Sequence, residues 1–345
     1  MAALHITKDM MPYLVGKRCV ITGGSSGIGL ATARLLRSLA AEVTILDVVE
    51  PPADMMEEAL DDIIGVLRPV KFHHCDVTDW EELHDCFNGD DCIHMDYVFA
   101  NAGVLEDNHP YFAEVCDEAG SLKEPDYSMM DVNVKGVYNT VKLAWHYMKR
   151  MNQLDRETGI ISSHELPEKS IVITTSSTAY FPEPGLPIYS SGKAALVGLI
   201  RALRTVTIRD NITINGVAPA PTDTIMLPGK LASAFASHDV PLSTPEHVAL
   251  ALVYSATARQ DRKVETYGKE PREDVFKKGE RWNGRVIMAF GDRFAELEEP
   301  IADLKPFWLG SENDRWLRDQ QAATDFREEF QWNTKKDRKK DPIFG

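Results

Sequence analysis

Short apolar runs alternate with longer amphipathic stretches along most of the chain. Residues 17–22 (KRCVIT), 42–47 (EVTILD), 70–75, 95–100, 170–174 (SIVIT) and 211–217 (NITINGV) read as buried strands. Between them, LATARLLRSLA after Gly29, residues 53–67, residues 79–87, a long stretch within 126–150 and residues 194–206 (AALVGLIRALRTV) have helical composition and spacing. Thr244-Pro245-Glu246 predicts a helix start, with proline in the first turn, running to about Thr257. Asn283 to Phe290 (NGRVIMAF) reads as a last strand. The alternation predicts an α/β fold: a doubly wound parallel sheet covered on both faces. Pro182, Pro184, Gly185 and Pro187 mark a loop, and residues 152–168 are polar and read as a surface loop. Residues 14–291 are expected to form one catalytic-sized domain, and residues 292–345 a charged, Trp-containing C-terminal extension.

Composition narrows the choice of partners. The chain has 345 residues, 43% hydrophobic and 26% charged, ordinary values for a globular protein. No stretch approaches 18 uncharged apolar residues, so no transmembrane helix is expected. Met1 to Pro12 carries Lys8 and Asp9 without an apolar centre, which argues against a secretory signal. The net charge of −15 argues against nucleic acid or an anionic membrane as partner, since phosphate binding needs a basic face. Five cysteines (Cys19, Cys75, Cys86, Cys92, Cys116) form no CxxC pair, so a reducing cytoplasm is expected.

Candidate chemistry begins at Thr22-Gly23-Gly24-Ser25-Ser26-Gly27-Ile28-Gly29, directly between the first strand and first helix. Glycines there permit a tight turn and close approach of a pyrophosphate to backbone N–H groups, and the helix N-terminus adds partial positive charge. The spacing is Gly-x3-Gly-x-Gly. Asp47 ends the second strand, where a carboxylate accepts both ribose hydroxyls of NAD and repels the 2′-phosphate of NADP. Its neighbours Ser26 and Val48 are not basic. Asp76 and Asn101-Ala102-Gly103 close the next two strands, at the sheet edge where ligands bind in such folds.

Tyr189 and Lys193, in YSSGKAAL, stand four apart on one helical face. A tyrosine of ordinary pKa is only roughly 0.1% phenolate at pH 7. Lowering that pKa by about three units takes roughly 4 kcal/mol. A lysine ammonium and a cationic nicotinamide ring are the available sources. So tuned, the phenol is a general base toward an alcohol or a general acid toward a carbonyl.

The glycine loop, Asn101-Ala102-Gly103, Asn133, the Ser176-Ser177 pair and Tyr189 to Lys193 occur in one order. The chain thereby resembles the classical short-chain dehydrogenase/reductase family over about residues 14–291. Within it, STAYFPEPGLPIYSSGKAALVGLIRALR and the long C-terminal segment resemble fungal dehydrogenases of secondary metabolism. The resemblance implies a Rossmann-type sheet and an NAD cofactor. It implies Tyr189 as acid/base, and Lys193 as the group that lowers its pKa and binds the nicotinamide ribose. It implies Asn133 as holder of a relay water, and Asp76 with Val77 beside the adenine. Asn101 would support the nucleotide pocket, and Thr224 with the Val217 backbone would hold the carboxamide. The substrate-positioning serine is Ser176 by its distance from Tyr189, or Ser177 by the local pattern SSTAY, and the pattern favours Ser177. The family's Pro-Gly turn reads Pro219-Ala220, so a Cβ is expected either to narrow the nicotinamide pocket or to shift the substrate lid. Members are dimers or tetramers built on helices near 127–150 and 189–207, so a homodimer or homotetramer is expected.

The leading expectation is therefore oxidation of a secondary alcohol, with Ile225, Met226, Leu227, Leu231 and Phe235 in a lid suited to an apolar or polycyclic small molecule. The alternatives are an NADH-dependent ketone reductase and a non-catalytic nucleotide-binding regulator. Other signals are discounted. His73-His74-Cys75-Asp76 alternate across a strand and cannot converge on a metal, and Cys86, Cys92 and His94 lack ligand spacing. Lys335 to Lys340 reads as a solvated tail, and Trp282, Trp308, Trp316 and Trp332 as packing of the extension onto the core.

Overall fold

The computed structural model describes residues 3–57, 70–106, 114–159, 167–325 and 327. Its strands are β1 (Ala3–Leu4), β2 (Arg18–Thr22), β3 (Glu42–Asp47), β4 (Lys71–His74), β5 (Tyr97–Ala100), β6 (Lys169–Thr174), β7 (Ile212–Pro219), β8 (Arg259–Arg262), β9 (Phe276–Arg281), β10 (Val286–Phe290) and β11 (Arg293–Glu296). Its helices are α1 (Gly27–Ser38), α2 (Ala53–Met56), α3 (Trp80–Asn88), α4 (Ser128–Met130), α5 (Val137–Glu157), α6 (Pro187–Thr207), α7 (Gly229–Ser237), α8 (Pro245–Thr257), α9 (Glu298–Asp303), α10 (Lys305–Leu309) and α11 (Ser311–Ala323). No described helix is long and apolar enough to cross a membrane.

Among the described residues one sheet has the order β1-β11-β10-β7-β6-β5-β2-β3-β4. From β4 to β10 every pairing is parallel, whereas β11 runs antiparallel to β10 and β1 antiparallel to β11. The central strands are buried on both faces, which is why they read as unbroken apolar runs. Successive side chains separate the two cores. Ile21, Ile45, Phe99 and Val172 pack with Leu36 of α1 and Val248 and Leu252 of α8. Val20, Leu46, Val98 and Ile171 pack with Phe87 of α3, Met148 of α5 and Ile200 of α6. Caps sharpen the helix starts. Asp79 accepts from the Glu81 and Glu82 N–H groups, and Thr244 from that of His247, with Pro245 at the first position of α8.

Several boundaries differ from expectation. The helix expected over 53–67 is seen as α2, and residues 58–67 lie outside the described residues. The loop expected over 152–168 is helical through Glu157, because Met151 and Asn152 still face the core; residues 160–166 lie outside the described set. The helix expected from Ala194 begins at Pro187, since that proline occupies the first helical position rather than breaking the helix. The sheet also continues past Phe290: β11 lies within the stretch set apart as an extension. Of the tryptophans, Trp282 is buried beneath Arg285, but Trp308 and Trp316 are 63% and 55% exposed. The segment that bears them is held by polar contacts instead, including Arg318 to the Thr266 hydroxyl at 2.7 Å and Arg272 to Asp314 at 3.1 Å. Trp332 and the Lys335 to Lys340 run lie outside the described residues.

Asn215, fully buried on β7, joins this edge to the core. Its amide donates to the Ser255 and Trp282 carbonyls, both at 2.9 Å, and accepts from the Arg285 N–H at 3.2 Å. Asn215→Ala leaves those buried groups unpaired and is expected to cost about 3 kcal/mol. Urea unfolding measures the loss, and a change below about 1 kcal/mol would contradict it.

Candidate active site

The chain runs from β2 outward to β3 and β4, then returns to β5 on the other side of β2. The connections after β2 and β5 therefore leave in opposite directions and open a crevice at the carboxyl edge. A cleft of about 960 Å³ lies there.

The glycine loop forms one side of it. Gly23 and Gly27 have φ of +68° and +48°, a region that glycine enters freely. A Cβ on Gly29 would stand 2.0 Å from the Gly23 carbonyl oxygen, so α1 packs against the loop only as glycine. Gly23, Ser26, Gly27 and Ile28 line the cleft at the N-terminus of α1, whose unpaired N–H groups favour an anion. Ser25 and Gly29 stand behind this surface. The Ser25 N–H donates to Asp47 at 2.9 Å, and the Ser25 hydroxyl is buried without a partner among the described residues. Asp47 also accepts from the Val49 N–H at 3.2 Å, and with Asp76 and Val77 it lines the cleft.

Asn101, Ala102 and Gly103 line it as well. The Asn101 side chain donates to the Gly23 carbonyl at 3.0 Å and accepts from the Thr174 hydroxyl at 2.9 Å. Its backbone N–H donates to the Thr22 hydroxyl at 3.1 Å, as does that of Ala102 at 3.2 Å. Thr174 went unassigned in the sequence, and Thr22 entered only as the first residue of the glycine loop. Their signal was a threonine ending each of two strands that flank β5.

Tyr189 and Lys193 come from the first turns of α6 and both line the cleft. The buried Lys193 ammonium donates to the Thr174 carbonyl at 3.0 Å and lies 5.6 Å from the centre of the Tyr189 ring. Burial lowers its pKa to about 8. Burial pushes the Tyr189 phenol up, and a hydrogen bond with the Ser176 hydroxyl works against that rise. Ser176 and Ser177 both line the cleft, but the phenol's partner is Ser176. Ser177 opens the short 3₁₀ turn to Ala179, for which Ser176 supplies the cap. The local pattern SSTAY favours Ser177, whereas the interaction that bears on the phenol is with Ser176.

Asn133 does not line the cleft. It is buried in a π-helical turn (Asp131–Gly136) between α4 and α5, an irregularity that recurs at functional positions. Its amide donates to the Val104 carbonyl at 2.7 Å and accepts from the Val104 N–H at 2.8 Å. A Cβ on Gly103 would meet Asn133 Oδ1 at 3.1 Å and Lys193 Nζ at 3.5 Å, so both side chains flank the Gly103 backbone.

The turn after β7 forms the other side. Pro219, Ala220 and Thr224 line the cleft, and the Thr224 methyl would lie 3.3 Å from a Cβ on Gly27. Ala220 keeps an ordinary negative φ and donates to the Ala289 carbonyl at 2.8 Å, so its Cβ brings no backbone strain. Ile225, Met226, Leu227, Leu231 and Phe235 give the outer cleft an apolar lining, the last two from α7. Another tie had no sequence signal. Buried Glu298 accepts from the Tyr180 hydroxyl at 2.8 Å and from Arg201 at 2.7 and 2.8 Å. It fastens α9 to α6 and to the turn that follows Ser176.

Comparison with known proteins gives the family and the fold. A family profile described as short chain dehydrogenase matches residues 17–233. The chain is 44% identical to the short-chain dehydrogenase/reductase ATR7 of Stachybotrys chlorohalonatus, over 95% of each chain. It is 29% identical to the 5′-hydroxyaverantin dehydrogenase of Dothistroma septosporum, over 66% of this chain and 74% of that one. Among solved structures, levodione reductase has the same fold, with a TM-score of 0.60, 19% identity and coverage of 81% of this chain and 97% of that one.

The buried ammonium sets a measurable cost. With a folded pKa near 8 against 10.5 in the unfolded chain, the unfolded chain holds the extra proton between those values. Stability therefore rises with pH across that window, and the full penalty applies below it. Lys193→Met is expected to be more stable than the unaltered chain at pH 7 by about 2 kcal/mol, allowing for the lost Thr174 bond. The gap should close as pH rises from 8 to 10.5, and urea unfolding showing no gap at pH 7 would refute the burial penalty.

Proposed function

We infer that this chain, which belongs to the short-chain dehydrogenase family, is an NAD-dependent oxidoreductase. It converts a secondary alcohol to a ketone, on an apolar or polycyclic substrate of secondary metabolism. The observation that carries this reading is the Tyr189–Lys193 pair in the same cleft as the glycine loop and Asp47.

The residues present fit a nicotinamide dinucleotide. The Gly23–Gly29 loop is shaped by two left-handed glycines and a third that tolerates no Cβ, leaving N–H groups free for a pyrophosphate. Asp47 would hold the adenosine ribose, and Asp76 with Val77 would flank the adenine. Asn101 to Gly103 and Lys193 would meet the nicotinamide ribose side, and Pro219 and Thr224 the carboxamide, in place of the Val217 backbone, whose carbonyl is taken by the Thr175 N–H and hydroxyl at 2.7 and 3.0 Å. Each Asp47 oxygen accepts one backbone N–H, which leaves lone pairs for two ribose hydroxyls. Its negative charge disfavours a 2′-phosphate, and neither Ser26 nor Val48 offsets it. When bound, the oxidised nicotinamide supplies the hydride acceptor and a positive charge near the phenol.

Tyr189 takes the hydroxyl proton of the alcohol, and Ser176 orients that hydroxyl through the same small network. Lys193 stabilises the phenolate from its place on the Thr174 carbonyl. Asn133, behind Gly103, is read as the holder of a water that returns the proton to solvent. The apolar lid from Ile225 to Phe235 selects the substrate by burial rather than by charge. We read the working form as a cytoplasmic homodimer or homotetramer assembled through α5 and α6.

Quenching of tryptophan fluorescence should show NADH binding at least ten times more tightly than NADPH. The reverse preference would overturn the cofactor reading. Tyr189→Phe should keep that binding while turnover falls by about 10²- to 10⁴-fold. Intact turnover in that variant would remove Tyr189 from the reaction.

A further inference from the structure

Helix α6 begins without a cap of its own. No side chain at Leu186, the residue before it, caps the helix, and Pro187 at its first position has no N–H to satisfy. The next two N–H groups, of Ile188 and Tyr189, donate to one carboxylate oxygen of Glu106, at 3.2 and 3.1 Å. The helix's own ladder takes over at Ser190, whose N–H donates to the Leu186 carbonyl at 2.9 Å. Glu106 belongs to the loop that leaves β5, so the cap comes from a distant part of the chain. Two unpaired N–H groups and the positive end of the helix dipole are what a carboxylate seeks. Its second oxygen is buried and, among the described residues, has no hydrogen-bond partner.

The root of the same loop is pinned by the hydrogen bonds between Val104 and Asn133. Two residues further on, Glu106 grips the Tyr189 amide itself. The loop thus spans from the π-helical turn to the backbone N–H of the tyrosine. Misplacement of a reacting group by about 1 Å is enough to cost roughly 10²-fold in rate. We infer that Glu106 is a positioning residue: its carboxylate caps α6 from outside and sets where the Tyr189 phenol stands in the cleft. The inference rests on the reading of Tyr189 as the acid/base.

Glu106→Ala tests it in the full chain, with turnover of an alcohol by NAD⁺, binding of NADH and amide hydrogen exchange. The Ile188 and Tyr189 amides should exchange at least tenfold faster, and kcat should fall by about 10- to 100-fold with NADH binding unchanged. Glu106→Gln keeps an oxygen that accepts both N–H groups, and should restore slow exchange and bring kcat within about threefold of the unaltered chain. A merely structural role would lower Tm without this rescue and without a kcat loss at temperatures where the variant is folded. Unchanged exchange in Glu106→Ala would overturn the cap. Faster exchange with unchanged kcat would overturn the positioning role, and a Glu106→Gln as slow as Glu106→Ala would show that charge, not position, matters. Tyr189→Phe that still turns over would instead fail the underlying reading, and the exchange result would stand apart from it.

Discussion

One side-chain amide, that of Asn101, spans the ends of three neighbouring strands. It gives a hydrogen to the residue after β2, takes one from the last residue of β6, and itself follows β5. Parallel pairing brings those ends to one height, but backbone bonds stop where the strands stop. Beyond that point an unpaired polar group costs about 1–3 kcal/mol. A shift of any one end would break a bond to Asn101. The glycine loop hangs from one side of this knot. Thr174, on the other side, turns its carbonyl to the Lys193 ammonium. The cleft is thus referred to a single point.

The central strands were legible because burial on both faces leaves an unbroken apolar run, as in SIVIT. The start of α8 was legible because Thr244 and Pro245 carry their own capping chemistry. The small sheet of β8 and β9 was not, because RQDR and FKKGER carry no apolar pattern and form an antiparallel pair with each other. The same distinction runs through the site. Glycines, Asp47 and the Tyr189–Lys193 pair are local in sequence and could be read. The choice between Ser176 and Ser177 depends on which hydroxyl turns toward a helix thirteen residues on. Asn133 with Val104, and Glu298 with Tyr180 and Arg201, are partnerships across the fold without a local trace. Exposed Trp308 and Trp316 show the limit of reading aromatic content as core. Their helices face solvent and are anchored by arginines.

Helix α6 carries an unfavourable group and is restrained at both ends. Near its start lies a lysine whose burial disfavours its charge. Toward its other end, Arg201 and Arg204 reach Glu298, a carboxylate that is 2% exposed. Arg204 also pairs with Glu265, which Lys305 shares. A buried carboxylate met by two guanidinium groups and a phenol has its lone pairs filled, the condition under which a buried ion pair holds its geometry. Residues beyond 291 therefore help to hold in place the helix that bears Tyr189 and Lys193. The charge of that extension is partly structural.

The outermost pairing of the sheet, Ala3 with Ala295 and Leu4 with Phe294, joins the start of the described chain to a strand made after all the others. For a polypeptide made residue by residue, that seam cannot form until β11 has left the ribosome. Until then the growing sheet ends on an apolar parallel strand, first β7 and then β10, with its backbone donors and acceptors bare. Such an edge is where nascent chains stick to one another. Closing a longer loop adds only about 0.6 kcal/mol for each doubling of its length. Distance along the chain thus delays the seam far more than it weakens it. The order of biosynthesis makes the shortest strand of the sheet the last to be laid down.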